Sequence, residues 1–358
     1  MARPTHVGID NTALIHNLLK IRELAPDRKI IAMVKGNAYG CGLSTIVPTL
    51  EGRVDAFGVA CIEECLAIRR LGSTTDCILF QGIFEPDELN ILAQLNLQCV
   101  IHQKQQLQWL LATPQSKALK VWVKIDTGMH RLGFHPSEAV EVIQTLRRCN
   151  WVDKDIGLMS HLANADRPQH ANNDEQLNLF RQTVEKLPGQ LMLSMANSAA
   201  IFALPEAHLD AVRPGIMLYG ISPFPERTGL ELGLKPVMRF SSVISAIHHY
   251  PPHSPIGYGA TWQSRDASII GVVPVGYADG YPRHITNAHI WVNHFWAPVV
   301  GRISMDMMTV DLTHCPGIKE GDEVELWGNH MPIETIAQSA GTIAYELLAQ
   351  MTNRPRRE

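Results

Sequence analysis

Nowhere in its 358 residues does this chain hold an apolar stretch approaching the roughly 18–20 residues that a membrane-spanning helix needs. Its opening Met-Ala-Arg-Pro-Thr-His also lacks the apolar core of a secretory leader. An excess of one charge is missing too: 31 Lys and Arg stand against 35 Asp and Glu, for a formal net charge of −4. That balance gives no electrostatic footprint for nucleic acid or an anionic membrane surface, so neither is expected as a partner. The single basic cluster, Arg354, Arg356 and Arg357, reads as a frayed, solvated tail. Seven cysteines (41, 61, 65, 77, 99, 149 and 315) are scattered and odd in number, without the paired spacing of a disulfide framework. Cys61 and Cys65 stand four apart on an expected helix, but no second ligand pair follows, so they read as small buried side chains and no metal site is expected. Reduced thiols and the absence of a leader point to the cytoplasm. Low-complexity tracts are absent as well.

What is present is a chain too long for one ordinary domain, with 46% hydrophobic and 18% charged residues, as a soluble protein with a large core has. Short apolar runs at 30–35, 55–60, 77–81, 98–102, 120–126, 156–161, 191–196 and 212–219 alternate with segments long enough for helices. Leu14, Ile15, Leu18 and Leu19 form one helical stripe behind a cap at Asp10-Asn11-Thr12. Eight β-then-α units predict an α/β fold with an N-terminal (β/α)8 TIM barrel, a doubly wound open sheet being the alternative. After about residue 233 the pattern turns to β-branched alternation with Pro and Gly punctuation, which predicts a mostly β C-terminal domain ending in a helix around 334–350. The expected division is therefore 1–232 for the barrel and 233–358 for the β domain.

The run Ile30–Val34 stops at Lys35, and Gly36, Asn37 and Gly40 then supply a permissive turn that also holds Tyr39. A lone lysine at a strand end ordinarily snorkels to solvent. At the mouth of a barrel it becomes a partly desolvated amine able to condense with an aldehyde. Other strand ends bring Lys124 and Arg131, Ser160 and His161, Asn197 and Ser198, and Arg213 with Gly215 and Ile216. An amine, an imidazole, two arginines and a hydroxyl on one face suit an anionic aromatic aldehyde, and pyridoxal 5′-phosphate is the obvious one.

Eight motifs then carry a resemblance. They are Val34-Lys-Gly-Asn-Ala-Tyr-Gly40, Asp126-Thr-Gly-Met-His-Arg-Leu-Gly133, Ala196-Asn-Ser198, Arg213-Pro-Gly-Ile216, Gly257-Tyr-Gly-Ala-Thr261, Gly276-Tyr-Ala-Asp-Gly280, Gly301-Arg-Ile-Ser-Met-Asp306 and Tyr345-Glu346. In this order, from residue 34 to 346, the sequence resembles the alanine racemases, pyridoxal-phosphate enzymes with a barrel and a C-terminal β domain. The resemblance implies a homodimer with shared active sites that interconverts L- and D-alanine, for peptidoglycan supply or for catabolism. Lys35 would hold the cofactor and serve as one base, and Tyr258 would reach the opposite face of the substrate from the partner subunit as the other. Arg213 would face the pyridine nitrogen and, being permanently charged, would keep that nitrogen unprotonated and restrain side reactions.

The resemblance further implies phosphate binding by Tyr39, Ser198, Tyr345 and the amides of Gly215 and Ile216, with His161 against the ring and Asn197 nearby. Arg131 would bind the cofactor's phenolic oxygen and, with the amide of Met305 of the partner subunit, the substrate carboxylate. Lys124, seven residues before Arg131, would be a carbamylated lysine. Asp166, Tyr277, Arg283, Arg302 and Ile343 would line the substrate corridor. Departures from the family pattern are Gly36 for the usual alanine, Cys41 for a histidine and Leu162 for an aromatic, with Cys41 expected to confer sensitivity to oxidation. Three other functions compete: a racemase of broader specificity that accepts serine, a barrel-type decarboxylase of basic amino acids, and a non-catalytic cofactor carrier. Arg213 and Tyr258 speak against the decarboxylase, and the β domain against the carrier.

Overall fold

The structure, a computed structural model, describes residues 3–358. The chain forms two compact units, one of Asn17–Ala38 and Gly42–Leu218, the other of the stretch ending at His16, Tyr39–Cys41 and Tyr219–Glu358.

The first unit is a closed parallel barrel. After β1 (His6–Ile9), which lies outside it, its eight strands are β2 (Lys29–Met33), β3 (Ala56–Val59), β4 (Asp76–Leu79), β5 (Gln98–Ile101), β6 (Val121–Lys124), β7 (Gly157–Met159), β8 (Met192–Ser194) and β9 (Ala211–Val212). β2 pairs with β9 through Lys29↔Ala211 and Ile30↔Val212, which closes the ring. The strands are short and almost wholly apolar because helices cover them outside and side chains fill them inside; β3, β5 and β6 are buried at every position. β9 is shorter than the apolar run 212–219 predicts. Pro214 follows it, and the remainder of the run coils into a 3₁₀ turn at Ile216–Tyr219.

The second unit is built on one nine-stranded sheet. Its strands are β1, β10 (Met238–Val243), β11 (Ala246–Tyr250), β14 (Ser268–Val273), β15 (His289–Val292), β16 (Phe295–Val300), β17 (Met308–Asp311), β18 (Glu323–Trp327) and β19 (Arg356–Arg357). A small ribbon of β12 (Pro255–Ile256) and β13 (Trp262–Gln263) stands apart from it. The sheet order is β11-β14-β17-β16-β15-β18-β10-β1-β19. The expected division at residue 232 therefore shifts: the first strand of the chain belongs to the β unit, and so does everything from Tyr219 onward. The tail read as frayed is ordered, because β19 pairs in parallel with β1 through His6↔Arg356 and Val7↔Arg357. The helix expected at 334–350 is two helices, Ile333–Ala340 and Ala344–Ala349, parted where Gly341 turns left-handed.

Candidate active site

Lys35 follows β2 and opens an unusual turn. Gly36, Asn37 and Ala38 hold φ/ψ of 64/43°, 53/51° and 55/53°, and Tyr39 continues at φ 51°, so the chain makes one turn of left-handed helix. Each non-glycine residue in that region costs about 1–2 kcal/mol, and such strain gathers at functional sites. The turn is held by specific bonds: Ala38 N–H donates to Val34 O at 2.8 Å, Gly42 N–H to Asn37 O at 2.9 Å, and Leu43 N–H to Asn37 Oδ1 at 3.0 Å. The Lys35 side chain is exposed, but surrounding protein displaces enough solvent to lower its pKa, Arg131 lowers it further, and Glu64 opposes both.

The loop after β6 carries Lys124 at its root and Arg131 near its tip. Asp126 Oδ1 accepts the N–H groups of Gly128, Met129 and His130 at 3.0–3.1 Å, and Phe134 N–H returns to Lys124 O at 2.9 Å. Asp126 also lies beside His130, and its charge opposes the cations that act on Lys124. Lys124 is buried, and burial together with Arg213 and Arg131 pulls its pKa down to about 8.

Arg213, just beyond β9, is 5% exposed. It donates to Ser194 Oγ at 2.6 Å, Ser160 O at 2.7 Å, Met195 O at 3.2 Å and His161 Nδ1 at 3.3 Å. Burial lowers its pKa to about 10, so it remains a cation at neutral pH. His161 is held well below its ordinary pKa by burial and by Arg213, so it is neutral and accepts at Nδ1. Ser198 Oγ accepts from Gly215 N–H at 2.9 Å and from Met217 N–H at 3.4 Å, which ties two of the expected phosphate-binding segments to each other. Asn197 caps the helix Ser198–Ala203 by accepting from Ala200 N–H at 3.1 Å. Asp166 is half-buried in the loop after β7.

The barrel unit thus brings together Lys35, Lys124, Arg131, His161 and Arg213. Burial first and their mutual repulsion second lower the pKa values of Lys35, Lys124 and His161. Two anchors carried no signal in the sequence. Gln176, fully buried mid-helix, donates to His161 O and accepts from Ala163 N–H, and Glu64 binds the Lys35 turn. An isolated amide or carboxylate on a helix has no motif to betray it.

In the β unit, Tyr39 stacks on Tyr219 with ring centroids 4.7 Å apart and lies 6.2 Å from Tyr345. Burial and Tyr345 push its phenol up, so it stays protonated. Cys41 is buried and its thiol is raised to about 12, which removes the expected sensitivity to oxidation: no thiolate is formed or reached. Tyr258 is 70% exposed in the turn between β12 and β13. Tyr277, Met305 and Ile343 are exposed apolar side chains, and Arg283 and Arg302 are exposed as well. The Tyr277 and Met305 loops are tied together, Tyr277 N–H to Ser304 O and Ala278 N–H to Met305 O. Behind them Asp279, fully buried, accepts from Gly276 N–H and pairs with Arg3 and Arg354, which also bind Asp306. Among the described residues no helix is long and apolar enough to cross a membrane, and no group of His, Cys, Asp or Glu is placed to hold a metal.

Residues 9–223 match the family model of the alanine racemase N-terminal domain, and residues 237–358 that of the C-terminal domain. An alanine racemase of Legionella pneumophila (strain Paris) is 55% identical over 357 residues, which cover 99% of each chain. The biosynthetic alanine racemase of Pseudomonas aeruginosa superposes with a TM-score of 0.96 at 39% identity over 99% of both chains. That of Bartonella henselae, described with covalently bound pyridoxal phosphate, superposes at 0.90 with 29% identity over 99% of both.

Proposed function

The chain belongs to the alanine racemase family, whose reaction interconverts L- and D-alanine, and we propose that Lys35 and Tyr258 are its two proton-transferring groups. The observation that carries this reading is the left-handed turn that presents Lys35 at the end of β2, where displaced solvent and Arg131 lower the pKa of its amine.

The residues present fit pyridoxal 5′-phosphate. Lys35, Lys124, Arg131 and Arg213 give the barrel site a positive character that calls for an anion, and Lys35 is the amine that an aldehyde needs. When bound, the cofactor supplies an electron-withdrawing ring that acidifies the substrate Cα–H bond. Lys35 would hold it covalently. Arg131, His161, Asn197 and Arg213 would surround its ring, and Tyr39, Ser198, Gly215, Ile216 and Tyr345 its phosphate.

With D-alanine, Lys35 as a neutral amine would take the α-proton while the Tyr258 hydroxyl of the partner subunit would deliver its own to the opposite face; with L-alanine the phenolate so formed would take the proton and the protonated Lys35 would deliver one. Inversion requires two such groups, because one base on one face restores the configuration it removed. Arg131 and the amide of Met305 of the partner subunit would hold the substrate carboxylate, and the cationic Arg213 would disfavour protonation of a ring nitrogen held beside it. Tyr277, Arg283, Arg302, Ile343 and Asp166 line the approach. The exposed Tyr258, Tyr277, Met305 and Ile343 support a homodimer in which a second copy covers them. Seven cysteines free of disulfides suit a cytoplasmic enzyme, one that supplies D-alanine for peptidoglycan.

Exchange of α-deuterium from each alanine enantiomer tests the reading. Lys35→Ala should lose both the visible absorbance of the bound cofactor and all exchange. Tyr258→Phe should keep the absorbance and lose exchange most severely with L-alanine, by about 10²–10⁴-fold. Normal racemisation by Tyr258→Phe removes Tyr258 from the mechanism.

A further inference from the structure

We propose that Glu64 is a positioning residue for Lys35. Glu64 lies in the first turn of the helix Ile62–Arg70, directly after β3. Its Oε1 accepts the Gly36 N–H at 2.6 Å and its Oε2 accepts the Ala60 N–H at 2.9 Å. Gly36 is the residue after Lys35, and Ala60 the residue after β3. One carboxylate therefore joins the ends of two neighbouring barrel strands, β2 and β3, at the point where the left-handed turn begins.

Both contacts are charge-assisted, and the carboxylate uses one oxygen for each amide. The strand ladder just upstream is already complete, with Val34 N–H donating to Gly58 O and Phe80 N–H to Val59 O. The Gly36 and Ala60 amides depend on Glu64 instead. Among the groups acting on the Lys35 amine, Arg131 disfavours its charge and Glu64 favours it. Glu64 thus fixes the backbone from which Lys35 extends and supplies a negative charge near its amine, without being placed to touch substrate.

Glutamine at this position has one acceptor oxygen and one donor amide, so either Gly36 or Ala60 loses its partner while side-chain volume is conserved. The inference rests on the role of Lys35 proposed above. It is tested on the holoenzyme by steady-state kinetics with α-deuterated D- and L-alanine, together with borohydride trapping of the cofactor on Lys35. Glu64→Gln should trap cofactor to the wild-type extent, lose about ten- to a hundredfold in kcat, a part of what general-base catalysis provides, and show a larger isotope effect with D-alanine only. A purely structural role would change both directions alike. Wild-type kinetics, or an isotope effect changed equally for both enantiomers, overturns the assignment. Should Glu64→Gln not fold, Glu64→Asp, which keeps the charge and retracts it by one carbon, must show the same asymmetry. A Lys35→Ala protein that still racemises would sink the reading of Lys35 itself. A wild-type-like Glu64→Gln beside an inactive Lys35→Ala sinks only the positioning role.

Discussion

Lys124 is buried among Arg213, Arg131 and Lys35, and a pKa lowered to about 8 leaves it a neutral minority at neutral pH and half neutral at about pH 8. Its neutral nitrogen can add to carbon dioxide, losing a proton and ending as a carbamate anion that would pair with Arg131. With dissolved carbon dioxide held constant, the modified fraction should rise as pH passes through about 8. Isotopically labelled carbon dioxide followed by carbon NMR checks this, with Lys124→Met as control, and the absence of a Lys124-dependent signal at every pH refutes it. Stability follows the same shift. The folded pKa lies below the unfolded one of about 10.4, so between them the unfolded chain binds the extra proton. Unmodified protein should therefore gain stability as pH rises from about 8 to about 10.4, whereas below that window it carries the buried cation at full cost.

At the scale of elements, the left-handed turn separates two reasons for glycine. Gly36 at φ 64° has nothing within 4 Å of where a side chain would begin, whereas a Cβ on Gly40 would lie 1.9 Å from Leu348 O. Gly36→Ala trades native strain against a stiffer unfolded chain and should shift stability by no more than about 1 kcal/mol. Gly40→Ala forces backbone apart and should cost about 3 kcal/mol or more, both read by urea unfolding. Glycine and asparagine announce this turn in the sequence, but Ala38 and Tyr39, which share its backbone, announce nothing, because tertiary bonds hold them there. The barrel strands were legible for the opposite reason: each buries both faces and so must be apolar throughout. β1, His-Val-Gly-Ile, is too short and mixed to signal a strand, and its partners lie more than two hundred residues away. The strand-end lysines, arginines and histidine were readable because a polar group ending an apolar run is conspicuous. Glu64 and Gln176 lie within helices where such residues are ordinary.

Over the whole molecule, the proposed sharing of a site between subunits would make a demand that no monomeric enzyme meets. Lys35→Ala and Tyr258→Phe proteins, each inactive alone, should regain activity when unfolded together and refolded. Random pairing yields hybrids in half the dimers, each with one intact site of two, so about one quarter of wild-type activity should return. Inactive mixtures whose hybrids are demonstrably present would place both groups on one polypeptide's site.

The sheet of the β unit seats β1 between β10 and β19, and Asp279 grips Arg3 and Arg354 together. A ribosome therefore delivers β1 more than two hundred residues before either of its neighbours exists. Until Arg356 and Arg357 emerge, the stretch around Val7 lacks its parallel companion, and the nascent chain must keep that strand available for it.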